Sequence, residues 1–231
     1  MMISYPTPPD FKPGCKVRSS LPGARCPLFG TKIEVIPKAE WPKHIGNISL
    51  RPYIRAIFDQ GSTGSCASES STQALQIARA FAGRPWVQLN PWFVYHTVSG
   101  GADRGSSIDD NLEFLRENGV APMEIWGRDK GWKAEPSAEA KAAAKDNRVD
   151  EYYDISTVEE FGTALLKGFP IVYGRDSHAI CAVELVSPTQ FRYVNSWHES
   201  WGDGGTAVEP LTKINWSYGA WAVRTPTDAA T

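Results

Sequence analysis

An α+β protein of two lobes is what this sequence predicts, with helices in its first half and an antiparallel sheet in its second. Three observations carry that expectation. Apolar residues after Cys66 recur at helical spacing, two later stretches carry helix start and stop signals, and after Pro170 the pattern changes to short β-rich runs parted by turn residues. At 231 residues, with 42% hydrophobic and 22% charged content, the chain can bury a sizeable core, which excludes a disordered tail protein. Lys+Arg 24 against Asp+Glu 26 leaves a net charge of −2, so no broad positive field exists for a phosphate backbone and nucleic acid is excluded as a partner. No run approaches the ~20 apolar residues of a membrane-spanning helix, and the start MMISYPTPPDFKPG lacks a basic segment followed by an apolar one. A cytoplasmic protein without membrane contact is the expectation, association with a virus particle being the other location considered.

Residues 1–40 hold seven prolines between Pro6 and Pro37 and little apolar periodicity, which predicts an extended arm wrapped on the body. Residues 41–231 form the expected domain, with a helical lobe over about 60–150 and a β lobe over about 151–231 plus 41–58. The first helix begins at or next to Cys66, where Ala67, Ser71, Ala74, Ala78 and Phe81 recur, and Gly83 supplies its stop. A second runs from Ile108 to Asn118, with Ser106 or Ser107 as N-cap, Ile108, Leu112 and Leu115 inward, and Gly119 closing it. A third runs from Val158 to Lys167, with Ser156 three residues before Glu159, and ends at Gly168 and Pro170. Strands are expected at 171–173, 179–185, 191–195, 206–208 and 221–224. Four cysteines, none in a CxxC pair, predict neither a disulfide scaffold nor a metal site, and Cys15 and Cys26 in the arm are expected as free thiols.

The segment IFDQGSTGSCASESS places Gln60 six residues before Cys66 across two glycines, with a helix starting at the cysteine. A helix N-terminus favours the thiolate, the nucleophilic form of cysteine, so the Cys66 pKa is expected to be low. The glycines allow the loop to fold back, so that the Gln60 carboxamide faces the oxygen that becomes negative during attack on a carbonyl, together with the Cys66 N–H. A thiolate also needs a proton carrier. Of four histidines, His44 and His198 lie in loop or turn sequence and His96 in the aromatic run PWFVYHTV, whereas His178 opens the most apolar strand, SHAICAVEL. Asn195, ending the strand that pairs with it across the turn SPTQ, is placed to accept from the imidazole N–H, and Trp197 to cover that bond from water. Cys181 and His198 are read as a core thiol and an exposed turn residue, and Trp197, Trp201 and Trp221 as aromatic packing.

In these residues the chain resembles the papain-like (C1) cysteine peptidases, particularly their shorter bacterial and viral members, from about Ile54 to Arg224. DQGSTGSCAS is similar to the nucleophile segment, SHAICAV to the histidine strand and NSWHESWGDGG to the stretch with the orienting Asn, and they stand in the family's order. The resemblance implies a helical left lobe, an antiparallel sheet or barrel as right lobe, and an active-site cleft between them. It also implies a catalytic set of Cys66, His178, Asn195 and Gln60, no cofactor or metal, and protein or peptide substrates. Gly105, Ser106 and Trp197 become the expected substrate-binding residues, the first two aligning with a glycine pair that hydrogen-bonds an extended substrate.

Three departures stand beside it. The family signature C-G-[SA]-C-[WY] reads Thr63-Gly64-Ser65-Cys66-Ala67 here, without its first cysteine and final aromatic. Only Arg175, Asp176 and Ser177 separate the strand IVYG from His178, where the family carries a long loop walling the cleft. The arm is short for an inhibitory propeptide and is expected to cover the cleft or anchor the protein to a partner. The sequence therefore predicts a thiol endopeptidase, with a catalytically silent papain-like scaffold or virion protein, or an amidase on cell-wall peptides, as the alternatives.

Overall fold

The computed structural model describes residues 5–226; residues 1–4 of the expected arm and 227–231 of the expected domain lie outside the described residues. Helices occupy Trp41–His44 (α1), Cys66–Phe81 (α2), Pro91–Val98 (α3), Ile108–Glu117 (α4), Ala138–Ala144 (α5) and Val158–Leu166 (α6). Strands occupy Cys15–Lys16 (β1), Ser106–Ser107 (β2), Glu151–Ile155 (β3), Ile171–Arg175 (β4), His178–Ser187 (β5), Gln190–Val194 (β6), Thr206–Pro210 (β7) and Ala220–Arg224 (β8). The last six form one antiparallel sheet in the order β3-β8-β4-β5-β6-β7.

Period-two alternation divides the sheet between two cores. Val172, Cys181, Val183, Trp221 and Val223 face α2, α3 and α4, joining Leu75, Ile77, Phe93, Val94, Ile108, Leu112 and Leu115. Ile171, Tyr173, Ile180, Ala182, Phe191 and Ala222 face the other way, onto Phe161 and Leu165 of α6, Trp41 of α1 and Phe29 of the arm. Helix α2 is the central member: all but two of its residues are buried, including Ser68, Ser71, Thr72 and Gln73. Phe81, the last member of its apolar repeat, is 36% exposed and packs edge-on against Tyr53.

The three expected helices are present, with one shift of cap. Ser107 caps α4 by accepting from the Asp110 N–H. For α6 the N-cap is Thr157, in a full capping box with Glu160, and not Ser156 with Glu159. Two overlapping registers of the same signal stand in the sequence, and the one that frees the Glu160 carboxylate to take the Ser156 N–H and Gly30 N–H as well prevails. Helices α1, α3 and α5 and strand β3 carry no expectation above. Helix α3 has a legible start, since Asn90 accepts from the Trp92 N–H and Pro91 stands at its first turn. All four cysteines are free, Cys15 and Cys26 included.

Residues 5–40 run over the body, fastened by side chains at intervals. The Arg18 guanidinium makes a two-point ion pair with the buried Asp154 (2.6 and 3.2 Å). Ser19 and Ser20 donate to Asp109, and the Trp201 indole donates to the Pro6 carbonyl (2.9 Å).

Candidate active site

Cys66 is the first residue of α2 and fully buried. Strand β5 packs across that helix end, and the backbone N–H groups of Ala179, Gly14 and Ala67 face the Cys66 sulfur. The sulfur therefore sits at the end of β5 that carries His178. A two-residue turn, Asp176 and Ser177, joins β4 to β5 with φ of +45° and +62°, the left-handed pair of a type I′ hairpin. This tight turn stands where the family's long loop was expected, and β5 opens directly from it at His178.

The His178 ring is held on two sides. Its Nε2 lies 2.8 Å from Asn195 Oδ1, which also accepts from the Ser196 N–H (2.9 Å), so the oxygen is the acceptor and Nε2 carries the proton. The Trp197 ring stacks on the imidazole, 4.9 Å between centroids and 11° between planes. Nδ1 is buried and makes no hydrogen bond, so its lone pair stays free as a base. Burial pushes the His178 pKa down to about 4, against the hydrogen bond it donates to Asn195, which acts the other way, so the imidazole is neutral.

Cys66 departs from expectation. Burial pushes its thiol up to about 11, and the three backbone N–H groups around the sulfur offset only part of that. Loss of hydration outweighs what a helix N-terminus supplies, and the arm lies over this end of the helix. Phe11 packs edge-on against both His178 and Trp197, each at 4.9 Å. Gly14 lies so close to the nucleophile loop that a Cβ there would stand 1.9 Å from the Gly64 carbonyl oxygen. The Gly14 carbonyl accepts from the Ser106 N–H (2.9 Å), the Cys15 N–H donates to the Ser177 carbonyl (2.9 Å), and β1 runs parallel to β2. Gly105, at φ +71°, gives the arm room: a Cβ there would meet the Gly14 oxygen at 2.0 Å. Of the residues expected to bind substrate, Ser106 bonds the arm's backbone, Gly105 leaves room for it and Trp197 packs on its Phe11.

Gln60 is buried between three partners. Its Nε2 donates to the Thr63 carbonyl (2.8 Å) and to the carbonyl of Lys12 in the arm (3.2 Å), while its Oε1 accepts from Ser196 Oγ (2.8 Å). A peptide carbonyl thus rests on the Gln60 carboxamide.

Two carboxylates that the motifs did not indicate brace the loop between Gln60 and Cys66. Glu69, fully buried one turn into α2, accepts from Ser65 Oγ (2.9 Å) and pairs with Arg128, whose guanidinium also donates to the Asp59 carbonyl and lies over the Trp92 ring. Asp103 accepts at Oδ1 from the Gly64 N–H (2.8 Å) and Tyr95 Oη (2.6 Å) and at Oδ2 from Lys12 Nζ (2.6 Å). Partial burial alone would raise the Asp103 carboxyl, but the hydrogen bonds of Lys12, Tyr95 and Gly64 outweigh it and hold it below its usual range. Glu69 had no signal in sequence, being one polar residue in a polar helix; Asp103 stands two residues before Gly105, which was the available pointer.

His44 ends α1, His96 lies in α3 against Glu135 (2.9 Å), and His198 is an exposed turn residue at φ +67°. None is brought to Cys66. Cys181 is a core thiol. Among the described residues no group of three or more His, Cys, Asp and Glu could hold a metal ion, and no helix is long and apolar enough to cross a membrane.

No protein-family model matches the chain. In sequence it is 25% identical to an uncharacterized peptidase C1-like protein, L477, of Acanthamoeba polyphaga mimivirus, over 77% of this chain and 72% of that protein. In structure it is similar to xylellain, a cysteine protease from Xylella fastidiosa, with a TM-score of 0.74, 20% identity, and 93% and 97% of the two chains covered. Digestive procathepsin L 3 of the Tenebrio molitor larval midgut superposes with a TM-score of 0.63 at 14% identity, covering 77% of this chain and 69% of that one. The fold is papain-like, α+β, as the motifs implied.

Proposed function

We propose that this chain, papain-like and C1-type, is a cysteine peptidase that cleaves internal peptide bonds through Cys66, His178, Asn195 and Gln60. The observation that carries the reading is a peptide carbonyl, that of Lys12, accepting from the Gln60 carboxamide (3.2 Å) beside a helix-terminal thiol and a neutral imidazole. With a substrate in place of the arm, His178 Nδ1 takes the thiol proton and the Cys66 sulfur attacks the carbonyl carbon. Gln60 Nε2–H and the Cys66 backbone N–H receive the negative oxygen. The imidazolium then protonates the departing amine, leaving a thioester, and a water that gives its proton to the same nitrogen hydrolyses it. Asn195 Oδ1 keeps the ring in the Nε2–H tautomer throughout, and Trp197 keeps water from that bond.

Casein and peptide cleavage by the full chain and three variants tests this. Cys66→Ala and His178→Ala are expected to abolish turnover and Asn195→Ala to weaken it about tenfold or more. Turnover by Cys66→Ala at the parent rate overturns the mechanism. A second reading, a scaffold without turnover, draws on the thiol being buried and un-ionised beneath the arm. An epoxysuccinyl inhibitor followed by peptide mapping separates the two, because an adduct confined to Cys66 belongs only to the peptidase.

A further inference from the structure

The two donors that receive the negative oxygen stand on different parts of the fold. Gln60 belongs to the sheet side: its N–H donates to the Ser196 carbonyl (3.0 Å) and its Oε1 accepts from Ser196 Oγ (2.8 Å), just beyond the end of β6. The Cys66 N–H belongs to the helix side, at the first residue of α2. Between them runs a loop with glycines at 61 and 64, Gly61 at φ +53°, so the chain alone leaves their spacing loose. One ion pair spans it. Arg128 donates through one guanidinium nitrogen to the carbonyl of Asp59, the residue before Gln60, and through another pairs with Glu69. Glu69 in turn accepts from Ser65 Oγ (2.9 Å), and its N–H donates to the carbonyl of the same Ser65 (2.9 Å), the residue before Cys66. We propose, resting on the peptidase reading, that Arg128 is a positioning residue for the reaction: through Asp59 on one side and Glu69 and Ser65 on the other, it sets the distance between the Gln60 and Cys66 donors.

The guanidinium is itself held in place. Its Cζ lies 4.7 Å from the centre of the Trp92 ring and 5.6 Å from that of Phe58. Phe58 precedes Asp59, so the ring contact and the carbonyl bond grip the same short segment. The Glu69 side chain is fully buried and that of Arg128 is 23% exposed, so water competes little for the bonds between them. The planar fork is what lets one cation hold two acceptors in fixed directions; an ammonium on a flexible stem can pair with the carboxylate without fixing the carbonyl. Spacing matters because a donor helps only where the oxygen comes to lie in the transition state. A misplacement of about 1 Å costs on the order of a hundredfold in rate, so a loosened pair of donors is expected to cost about tenfold or more.

The test uses the full chain carrying Gly14→Ala, a change made to lift the arm from the site, as the reference. Two reactions are followed in each variant: turnover of a peptide amide, giving kcat and KM, and alkylation of Cys66 by iodoacetamide. In alkylation the sulfur displaces iodide from a saturated carbon and no negative oxygen forms, so it reports the thiol and the fold without the two donors. Arg128→Lys keeps a cation beside Glu69 and loses the fork. Its kcat is expected to fall about tenfold or more, with KM and the alkylation rate within about twofold of the reference. Glu69→Gln/Arg128→Met removes both charges together, so no charge is left buried and unpaired. Its kcat is expected to fall at least as far, with alkylation no slower than in the reference. Arg128→Lys turnover at the reference rate overturns the proposal, and so does a parallel fall of turnover and alkylation, which is what a purely structural part would give. In both cases the reference chain still cleaves, and the peptidase reading stands. If the reference chain cleaves no peptide and Cys66 takes no inhibitor, the peptidase reading fails and the proposal falls with it.

Discussion

Glu69 and Arg128 illustrate how much of this site rests on side chains that touch no substrate. Glu69 is fully buried, and burial raises its carboxyl pKa against the pull of Arg128. Removing one partner of a buried pair leaves an uncompensated charge and costs about 3–5 kcal/mol, whereas replacing both with apolar or neutral groups is far milder. Arg128→Met is therefore expected to lower the urea midpoint strongly and Glu69→Gln/Arg128→Met to recover most of it. Equal midpoints for the single and double variants would show that the pair carries no such strain. The same carboxylate acts on the nucleophile, since its charge raises the Cys66 thiol. Position 69 shows why motif reading stops short: one polar residue in a run of Ser, Thr and Gln gives no sign of facing inward, and only the burial of α2 on almost every side makes its charge matter.

At the scale of elements, the arm lies over the site through Phe11, Lys12 and Gly14. Gly14 is its tightest point, and because a Cβ there meets the Gly64 backbone, which cannot move aside cheaply, Gly14→Ala is expected to expel the arm. Water then reaches the sulfur, its pKa falls from about 11, and iodoacetamide labels Cys66 at pH 8 at least tenfold faster than in the parent chain. An unchanged rate would mean the arm does not govern access. Acid acts in the same direction. Closed, His178 titrates at about 4 against an ordinary 6.5, so between those values the closed form binds fewer protons than an open, hydrated one, and lowering the pH favours opening. Asp103, held below its usual range by Lys12, adds to the effect lower on the scale. Faster hydrogen exchange at the Cys15 N–H at pH 5 than the intrinsic rate predicts, relative to pH 7, is the expected sign. The prolines made the arm legible as extended chain, but its course over the site was not, because Phe11, Lys12 and Gly14 form no periodic pattern and find their partners 48 to 186 residues away.

For the whole molecule, the two cores on either face of the sheet hold α2 and β5 in register. On the face away from Cys66, Trp41 packs on α6 at Gly162, where a Cβ would stand 2.2 Å from the indole. Gly162→Ala is expected to lower unfolding free energy by about 1–3 kcal/mol through overpacking, measured by urea denaturation, with Cys66 labelling of the folded protein unchanged. A loss of labelling control in that variant would instead mean that the two cores are coupled through the sheet. Helices α2, α4 and α6 and five of the six strands of the sheet could be read from the chain because each carries its own signal: a cap, a stop glycine or a run of β-branched and aromatic residues. Strand β3 escaped because EYYDI lies directly ahead of the α6 cap and mixes charge with aromatics.

The order of Cys66, His178 and Asn195, and the local grammar around each, is written along the chain because helix ends, tight turns and strand alternation depend on neighbours a few residues apart. What lies over the thiol, which carboxylates brace the nucleophile loop and whether the sulfur is ionised were decided by tertiary structure alone. Those properties depend on the exclusion of water and on charges brought close from distant segments, and no local pattern encodes either.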